Sequence, residues 1–238
     1  MTEPAPAAPS DTPRTAAQRR RDRERAKARR AILNAAREIA RREGWDAVTM
    51  RRLAEEIEYS ANFAYRYFEG RDDILLALVR DGFTQLRDEV AAAAQPTKPS
   101  SEPAAGRKAS GDEGAAVRRA GHAYLDFALA DPDLYQLMYS LGGVRVPVTD
   151  TWTEGQAIGD IFIGLLAAAG DSRPEEHVLQ LWATAHGLIA LQVVGRVDVD
   201  AAALHALFDN ALTDCLVRAL APARSTARNA ATRERSQR

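Results

Sequence analysis

Asparagine and arginine side chains stand four residues apart in a short segment whose residue types can read DNA bases. The segment is SANFAYRYF, residues 60–68, and Asn62 and Arg66 would share one face of a helix. An amide side chain can form paired hydrogen bonds with adenine, and a guanidinium can form them with guanine. The ring of Phe63 can contact a thymine methyl group. These three residues are therefore candidates for direct base recognition.

Hydroxyl groups and positive charges near this segment are candidates for contacts with the DNA backbone, which fix register without reading sequence. Thr49, Arg51, Tyr65, Tyr67 and Arg71 have the required side chains, and Arg52 could act in the same way. Ser60 and Ala61, which open the segment, complete the predicted DNA-binding set.

Two short helices separated by a tight turn would position these residues. Thr49 precedes an apolar-periodic run and predicts a capped helix from Met50 to Ile57. A second helix, Ala61 to Phe68, begins after a serine that can cap it and turns Ala64 and Phe68 toward the core. This layout is that of a helix-turn-helix DNA-binding unit.

The stretch YSANFAYRYFEGRDDILLALV resembles the TetR family of bacterial transcriptional regulators, and the resemblance extends over residues 29–79. In that family a serine opens the recognition helix, a Tyr-x-Tyr/His-Phe pattern ends it and a basic residue starts a long fourth helix. The corresponding residues here are Ser60, Tyr65, Tyr67, Phe68 and Arg71. A departure is Glu58, where the family usually carries glycine, and a positive φ at this residue would cost roughly 1 kcal/mol.

Apolar residues recur at spacings of three and four along the rest of the chain, and no alternating run marks a strand. We therefore expect an all-α protein of about nine helices. It would have an N-terminal three-helix helix-turn-helix domain and a C-terminal helical effector and dimerisation bundle. The predicted segments are a disordered basic arm (1–23), the helix-turn-helix domain (24–71), a connecting helix (72–94), a flexible loop (95–114), a ligand-binding and dimerisation domain (115–221) and a disordered basic tail (222–238).

The net charge of −1 hides an asymmetry along the chain. Residues 14–71 hold 16 Lys/Arg against 9 Asp/Glu, whereas residues 72–221 hold 11 against 21. Nine of the basic residues lie between Arg14 and Arg30. Such a density attracts phosphate, so this arm is either an accessory contact with the DNA backbone or minor groove, or a solvated disordered tag.

Residues 123–141 and 181–196 resemble an effector domain of one TetR subgroup, named for its Trp-His-Gly signature. The triplet is stretched here into Trp182, His186 and Gly187. Aromatic residues from four predicted helices could line an apolar ligand cavity, and His186 could bond a ligand; the alternative for each single residue is a place in the core. The predicted ligand-binding residues are Tyr124, Phe127, Tyr135, Met138, Trp152, Phe162, Trp182 and His186, with Tyr139 among the same aromatic residues.

The last two predicted helices have broad apolar faces, and the resemblance implies that they form a four-helix homodimer interface. The residues concerned are Val178, Leu181, Leu188, Leu191, Leu204, Leu207, Leu212 and Leu216. Two-fold pairing would present two recognition helices to double-stranded DNA, so we expect an inverted-repeat operator.

Other classes of function find little support in the sequence. The four histidines form no metal-spaced pair or nucleophile motif, so we expect no enzyme, metal or cofactor; His177 is predicted to be an exposed helix position. The single cysteine, Cys215, favours a buried structural thiol. With no apolar run long enough for a membrane span or signal peptide, a cytoplasmic protein is expected. The predicted function is a repressor released by a small apolar or mixed-polarity effector; the alternative is a ligand-independent or activating regulator.

Overall fold

A computed structural model of the protein describes residues 15–96, 110–141 and 143–220. Within these ranges the chain forms nine α-helices and two short 3-10 turns, with no strand, as an all-α prediction requires. The helices are α1 (Ala16–Glu43), α2 (Met50–Glu56), α3 (Ala61–Tyr65), α4 (Arg71–Ala94), α5 (Ser110–Ala130), α6 (Pro132–Met138), α7 (Trp152–Ala168), α8 (Pro174–Val193) and α9 (Ala201–Ala219). The chain divides into two compact units, Met1–Ala77 and Leu78–Arg238.

The first unit is built around a small apolar core to which α1, α2, α3 and the start of α4 all contribute. Ile32, Ile39, Leu53, Phe68 and Ile74 are at most 2% exposed. Gly44 ends α1 with a φ of 83°, and the 3-10 turn Trp45–Ala47 then leads into α2. The short helices α2 and α3 have too few residues to be stable alone, so this shared core holds them in place.

The basic arm does not have the predicted boundary. Helix α1 begins at Ala16 rather than near residue 24, so residues 16–23 are helical and not disordered. The cause is a capping box: the Thr15 hydroxyl accepts a hydrogen bond from the Gln18 amide, and the Gln18 side chain accepts one from the Thr15 amide. This Thr-x-x-Gln signal is visible in the sequence. Residues 1–14 lie outside the described ranges.

The second unit packs helices α5 to α9 and the C-terminal part of α4 around a larger core. Leu86, Leu125, Leu134, Leu166 and Leu212 are at most 1% exposed. Asp131 caps α6 through the Leu134 amide at 3.1 Å. Proline opens both α6 and α8, as expected from its fixed φ.

Most of the predicted loop, residues 97–109, and the predicted tail, residues 222–238, lie outside the described ranges. Ser110–Gly114, which the sequence placed in the loop, belong to α5. None of the described helices is both long enough and apolar enough to cross a membrane.

Candidate DNA-binding and effector sites

Helix α3 separates its side chains into a buried and an exposed set, as the sequence predicted. Ala64 is fully buried and Phe68, just beyond the helix, is 2% exposed. Asn62, Tyr65 and Arg66 are all exposed, and the Tyr65 ring is 53% accessible. The side chains proposed to read bases or contact phosphate are therefore held on a short helix whose opposite face is fixed in the core.

The turn between α2 and α3 is left-handed at the residue where the sequence departs from the family's usual glycine. Glu58 has a φ of 56°, in the region that normally favours glycine. The amide of Tyr59 donates to the carbonyl of Ala54 at 3.0 Å, which closes the turn. Ser60 has the extended backbone of an N-cap residue, but its hydroxyl makes no capping hydrogen bond, contrary to the expected side-chain cap.

The start of α2 has a side-chain cap and two arginines that differ in exposure and in ion pairing. The Thr49 hydroxyl accepts a hydrogen bond from the Arg52 amide at 3.2 Å, as predicted. The Arg51 side chain is 90% exposed and pairs with Glu55 at 3.0 Å. The Arg52 guanidinium, in contrast, lies 2.7 Å from Glu43 and 3.1 Å from Glu56.

These ion pairs decide which arginine could contact phosphate. The hydrogen bond from Arg52 holds the pKa of Glu43 below its usual range. The hydrogen bond from Arg42 does the same for the pKa of Glu56. Both carboxylates are thus charged and keep Arg52 occupied, so the suggestion that Arg52 contacts DNA is not supported by its geometry.

Arg71 is partly committed to the fold of the first unit. Its Nε donates to the carbonyl of Val48 at 2.9 Å, and its Nη2 donates to the carbonyl of Trp45 at 3.1 Å. The side chain is 30% exposed. Arg71 therefore ties the first turn of α4 to the segment before α2, and only part of its guanidinium remains for a phosphate.

Aromatic and cationic groups meet where α3 ends. The rings of Tyr59 and Phe63 stack at 4.2 Å between centroids, and Phe63 lies 5.1 Å from the ring of Tyr67. Arg29 of α1 donates to the carbonyl of Tyr67 at 2.6 Å and covers the ring of Phe68 at 4.1 Å. Nothing in the sequence distinguishes Arg29 for this role, because it is one of nine basic residues between Arg14 and Arg30.

In the second unit, three tyrosines, a tryptophan and a histidine form one hydrogen-bonded cluster, which we call the tyrosine cluster. The Tyr124 hydroxyl lies 3.0 Å from those of both Tyr135 and Tyr139 and accepts from the Trp182 indole N–H at 3.2 Å. The Tyr135 hydroxyl lies 2.8 Å from Nδ1 of His186. Burial raises the pKa of each of the three tyrosines, so all three hydroxyls keep their protons.

With Tyr124 as the donor to Tyr139, the proton count within the tyrosine cluster assigns the tautomer of His186. Tyr124 donates its single proton to Tyr139 and so accepts from Tyr135. Tyr135 has then used its own proton, and Nδ1 of His186 has to be the donor in their 2.8 Å contact. Burial lowers the pKa of His186, which favours the neutral ring. Its Nε2 is consequently a hydrogen-bond acceptor.

The structure gathers only part of the predicted ligand-binding set. Tyr124, Tyr135, Trp182 and His186 lie in the tyrosine cluster. Among the described residues, four others take no part in its hydrogen bonds or ring contacts: Phe127, Met138, Trp152 and Phe162. Phe127 and Met138 are core residues at 6% exposure each, and Trp152 is 63% exposed.

The apolar residues predicted for a dimer interface on α8 and α9 lie partly in the core of the single chain. Four of the eight predicted interface residues belong to the core of the single chain: Leu181, Leu204, Leu212 and Leu216. The apolar side chains that do remain open, each at least 38% exposed, include two of the eight predicted residues, Leu191 and Leu207, and five others. They are Leu179, Trp182, Leu191 and Val194 on or just after α8, and Leu207, Val217 and Leu220 on or just after α9.

The remaining three histidines, His122, His177 and His205, each contact another side chain of the fold. His177 is 3% exposed and its Nδ1 lies 2.7 Å from Asp171, so the predicted exposed position is wrong. The turn before α8 brings Asp171 beneath the helix, which a helical wheel alone cannot anticipate. His122 and His205 face each other between α5 and α9, with 2.8 Å between their Nδ1 atoms. Among the described residues no group of three or more side chains could hold a metal ion.

A three-helix unit that fixes one face of a short helix and exposes the other, after a tight turn, defines a helix-turn-helix DNA-binding protein. Two family models match: residues 32–78 fit the bacterial regulatory proteins of the tetR family, and residues 117–215 fit a tetracyclin repressor-like C-terminal domain. The chain belongs to the TetR family of DNA-binding transcriptional regulators.

Several solved structures share this fold. SCO4313 is 26% identical with a TM-score of 0.63 and covers 86% of this chain and 99% of its own. A Rhodococcus sp. RHA1 protein of unknown function is 24% identical, with a TM-score of 0.65 and coverage of 81% and 95%. The TetR-family regulator SCO4454 from Streptomyces coelicolor is 22% identical, with a TM-score of 0.62 and coverage of 82% and 97%. Among curated proteins none matches this chain.

Proposed function

We propose that the protein is a homodimeric repressor, acting in the cytoplasm, that binds an inverted-repeat operator and is released by a small molecule of mixed polarity. The observation that carries the DNA-binding part is α3, whose Ala64 is buried while Asn62 and Arg66 are exposed. In this reading Asn62, Phe63 and Arg66 contact bases, and Thr49, Arg51, Tyr65 and Tyr67 contact phosphates with the N-terminal end of α4 and Arg71. Ser60 and Ala61 bring the start of α3 to the DNA.

The proposed homodimer rests on the apolar side chains of α8 and α9. Leu191 is 44% exposed and Leu207 is 47% exposed, and they lie among several others of the same kind on these two helices. Large exposed apolar patches mark interaction sites. A second copy of the chain is the proposed partner because a two-fold pair of α3 helices matches a two-fold operator.

The proposed effector site is the tyrosine cluster. Two polar groups of the cluster can still form a hydrogen bond with a ligand. The Tyr139 hydroxyl accepts from Tyr124 and can donate its own proton, and Nε2 of His186 can accept with its lone pair. Aromatic rings surround both groups, with Tyr139 and His186 at 4.9 Å between centroids. A ligand with an apolar body and one polar end fits such surroundings better than an ion does.

Release would follow from linkage between the two binding events. A ligand can dissociate the DNA complex only to the extent that it prefers the chain conformation that does not bind DNA. Tight ligand binding alone would therefore not induce transcription. A regulator without an effector would keep the same DNA-reading residues, and an activator would use them as well.

Selection of bound sequences from a random duplex pool, at a stated salt concentration, tests the DNA-binding proposal. Enrichment of an inverted repeat is the expected result, and it supplies the probe for an effector screen. Loose, salt-sensitive binding without an enriched sequence would overturn the proposal of an operator-specific regulator. Loss of operator binding in the presence of a compound, in wild type but not in His186→Phe, would support the effector site.

A further inference from the structure

A basic cleft lies in the first unit between the N-terminal part of α1 and the residues that follow α3. It has a volume of about 570 Å³ and is lined by Arg20, Arg21, Glu24, Arg25, Arg66 and Tyr67. Four guanidinium groups thus face one carboxylate. Among the described residues, the guanidinium groups of Arg20, Arg21 and Arg66 form no ion pair or hydrogen bond, so their charge is not neutralised by the chain itself.

The helix segment that supplies three of these arginines has no apolar face to bury. Every residue from Ala16 to Lys27 is exposed, and the first buried residue of α1 is Ile32. A helix that is polar all round gains little from packing, and its stability has to come from caps, side-chain pairs or a partner. The capping box at Thr15 holds the segment helical in the free protein. The surplus of positive charge leaves it suited to an anionic partner.

Contacts with Tyr67 fix where this segment lies relative to the end of the recognition helix. The guanidinium of Arg25 is 5.7 Å from the centre of the Tyr67 ring, and Arg66 is 5.9 Å from the same ring. Arg29, one turn further along α1, donates to the Tyr67 carbonyl at 2.6 Å. The cleft is therefore continuous with the surface that carries Arg66, and a duplex on that surface would pass close to it.

The arginines of the cleft share one side of α1. Successive residues of an α-helix are turned by about 100°, so Arg20, Arg21 and Arg25 fall within about 140° of arc. Arg23 and Arg30 lie on the other side of the same helix and are also exposed. This division offers a matched pair of variants with the same loss of charge on opposite sides.

We propose that the cleft binds the phosphodiester backbone of the operator, through Arg20, Arg21 and Arg25. This inference rests on the proposed function, because it requires that α3 lies on DNA. The cleft makes charge contacts with phosphate and reads no bases, so it adds affinity on every sequence alike. A flexible arm inserted into a groove is not needed, because the segment is already helical.

The test compares Arg20→Ala/Arg21→Ala with Arg23→Ala/Arg30→Ala on the enriched operator over a series of salt concentrations. Each phosphate contact contributes about 0.9 to the slope of log K against log salt. The cleft variant should lower that slope by about 2 to 4 for a dimer, whereas the opposite-side variant should lower it by less than about 1. The affinity lost should be the same on operator and on random DNA.

Shortening the operator duplex tests whether the affinity lost in the cleft variant comes from contacts with the flanking DNA backbone. If the cleft holds backbone beyond the bases that α3 reads, removing the flanks should weaken wild type and leave the cleft variant nearly unchanged. Equal slopes for the two double variants, with full sequence preference in both, would overturn the cleft while leaving the proposed regulator intact. Absence of an enriched operator for wild type would instead be the failure of the proposed function. Unchanged melting of both variants checks that they fold.

Discussion

Glu58 shows how one side chain can strain a turn without changing its shape. Its φ of 56° is costly for a residue with a Cβ atom, by about 1 kcal/mol. The side chain is exposed, so nothing in the core depends on it. The turn is held by the buried faces of α2 and α3, which outweigh the local cost.

Glu58→Gly should therefore stabilise the protein by about 1 kcal/mol, because glycine adopts this φ without steric cost. Glu58→Ala, which keeps the Cβ atom and removes only the carboxylate, is the matched control and should change stability little. Urea unfolding of the three proteins measures the effect. Equal stability of the glycine and alanine variants would show that the backbone at this residue is not strained.

At His186 a prediction about pH follows from its burial. Burial lowers the pKa of His186 in the folded state below its ordinary value of 6.5, so His186 binds a proton more readily in the unfolded chain. The free energy of unfolding should consequently decrease as the pH falls below 6.5. Above pH 6.5 the protonation of His186 should have no effect on stability. His186→Gln should lose less stability than wild type at acid pH, because it has no imidazole to protonate. Urea unfolding near pH 5 and pH 8 tests the difference; parallel pH profiles for both proteins would contradict it.

Asn62 and Arg71 allow the proposed division of labour at the DNA to be measured. Asn62→Ala should cost about 1 to 3 kcal/mol at a single A·T pair and should relax the preference there. Arg71→Ala should weaken binding to all sequences alike, and it should also lower the melting temperature because Arg71 bonds the carbonyls of Val48 and Trp45. Binding to operators substituted at each position, with melting curves, would separate these effects. A uniform loss for Asn62→Ala would refute its base contact.

At the scale of the element, the close approach of α5 and α9 depends on a residue without a side chain. A Cβ atom at Gly121 would lie 3.0 Å from the Phe208 ring and 3.2 Å from Leu212. Gly159 of α7 also lies inside a helix, but a Cβ atom there would meet nothing within 4 Å. The two glycines are therefore equivalent in secondary structure and opposite in packing.

Gly121→Leu should destabilise the protein by about 1 to 3 kcal/mol or more, since the added atoms overpack the core between α5 and α9. Gly159→Leu should leave stability unchanged or raise it by up to about 1 kcal/mol, because leucine favours a helix more than glycine does. Thermal unfolding monitored by circular dichroism compares them. Similar melting temperatures for the two variants would show that α9 can move away from α5 at little cost.

The elements were largely predictable from the sequence because their signals are local. Apolar spacing and the flanking Thr49 and Ser60 predict helices over Met50–Ile57 and Ala61–Phe68, and the structure reproduces their ends to within a few residues. The start of α1 was missed although its capping box at Thr15 is equally local. What could not be predicted depends on how the chain turns and packs: His177 bonds Asp171 across the turn before α8, and the tyrosine cluster needs α5, α6 and α8 together.

At the scale of the whole molecule, the open apolar faces of α8 and α9 matter because the proposed dimer is needed for specific DNA binding. A single recognition helix of five residues, Ala61–Tyr65, contacts too few base pairs to select an operator. Two copies held at a fixed spacing double the contacts and impose symmetry on the site. Specific binding, as proposed, therefore depends on dimerisation.

Leu191→Glu/Leu207→Glu should convert the protein to a monomer, because a buried interface would then hold unpaired charges. Both leucines are more than two-fifths exposed in the single chain, so the fold of each unit should survive the change. Ala167→Glu, at an exposed position of α7, adds a charge outside the proposed interface and should stay dimeric. Sedimentation at several concentrations measures the assembly, and titration with operator and half-operator measures the consequence. The double variant should bind both duplexes equally and weakly. A variant that remains dimeric, or a monomer with full operator affinity, would contradict the dependence of specific binding on the α8–α9 face.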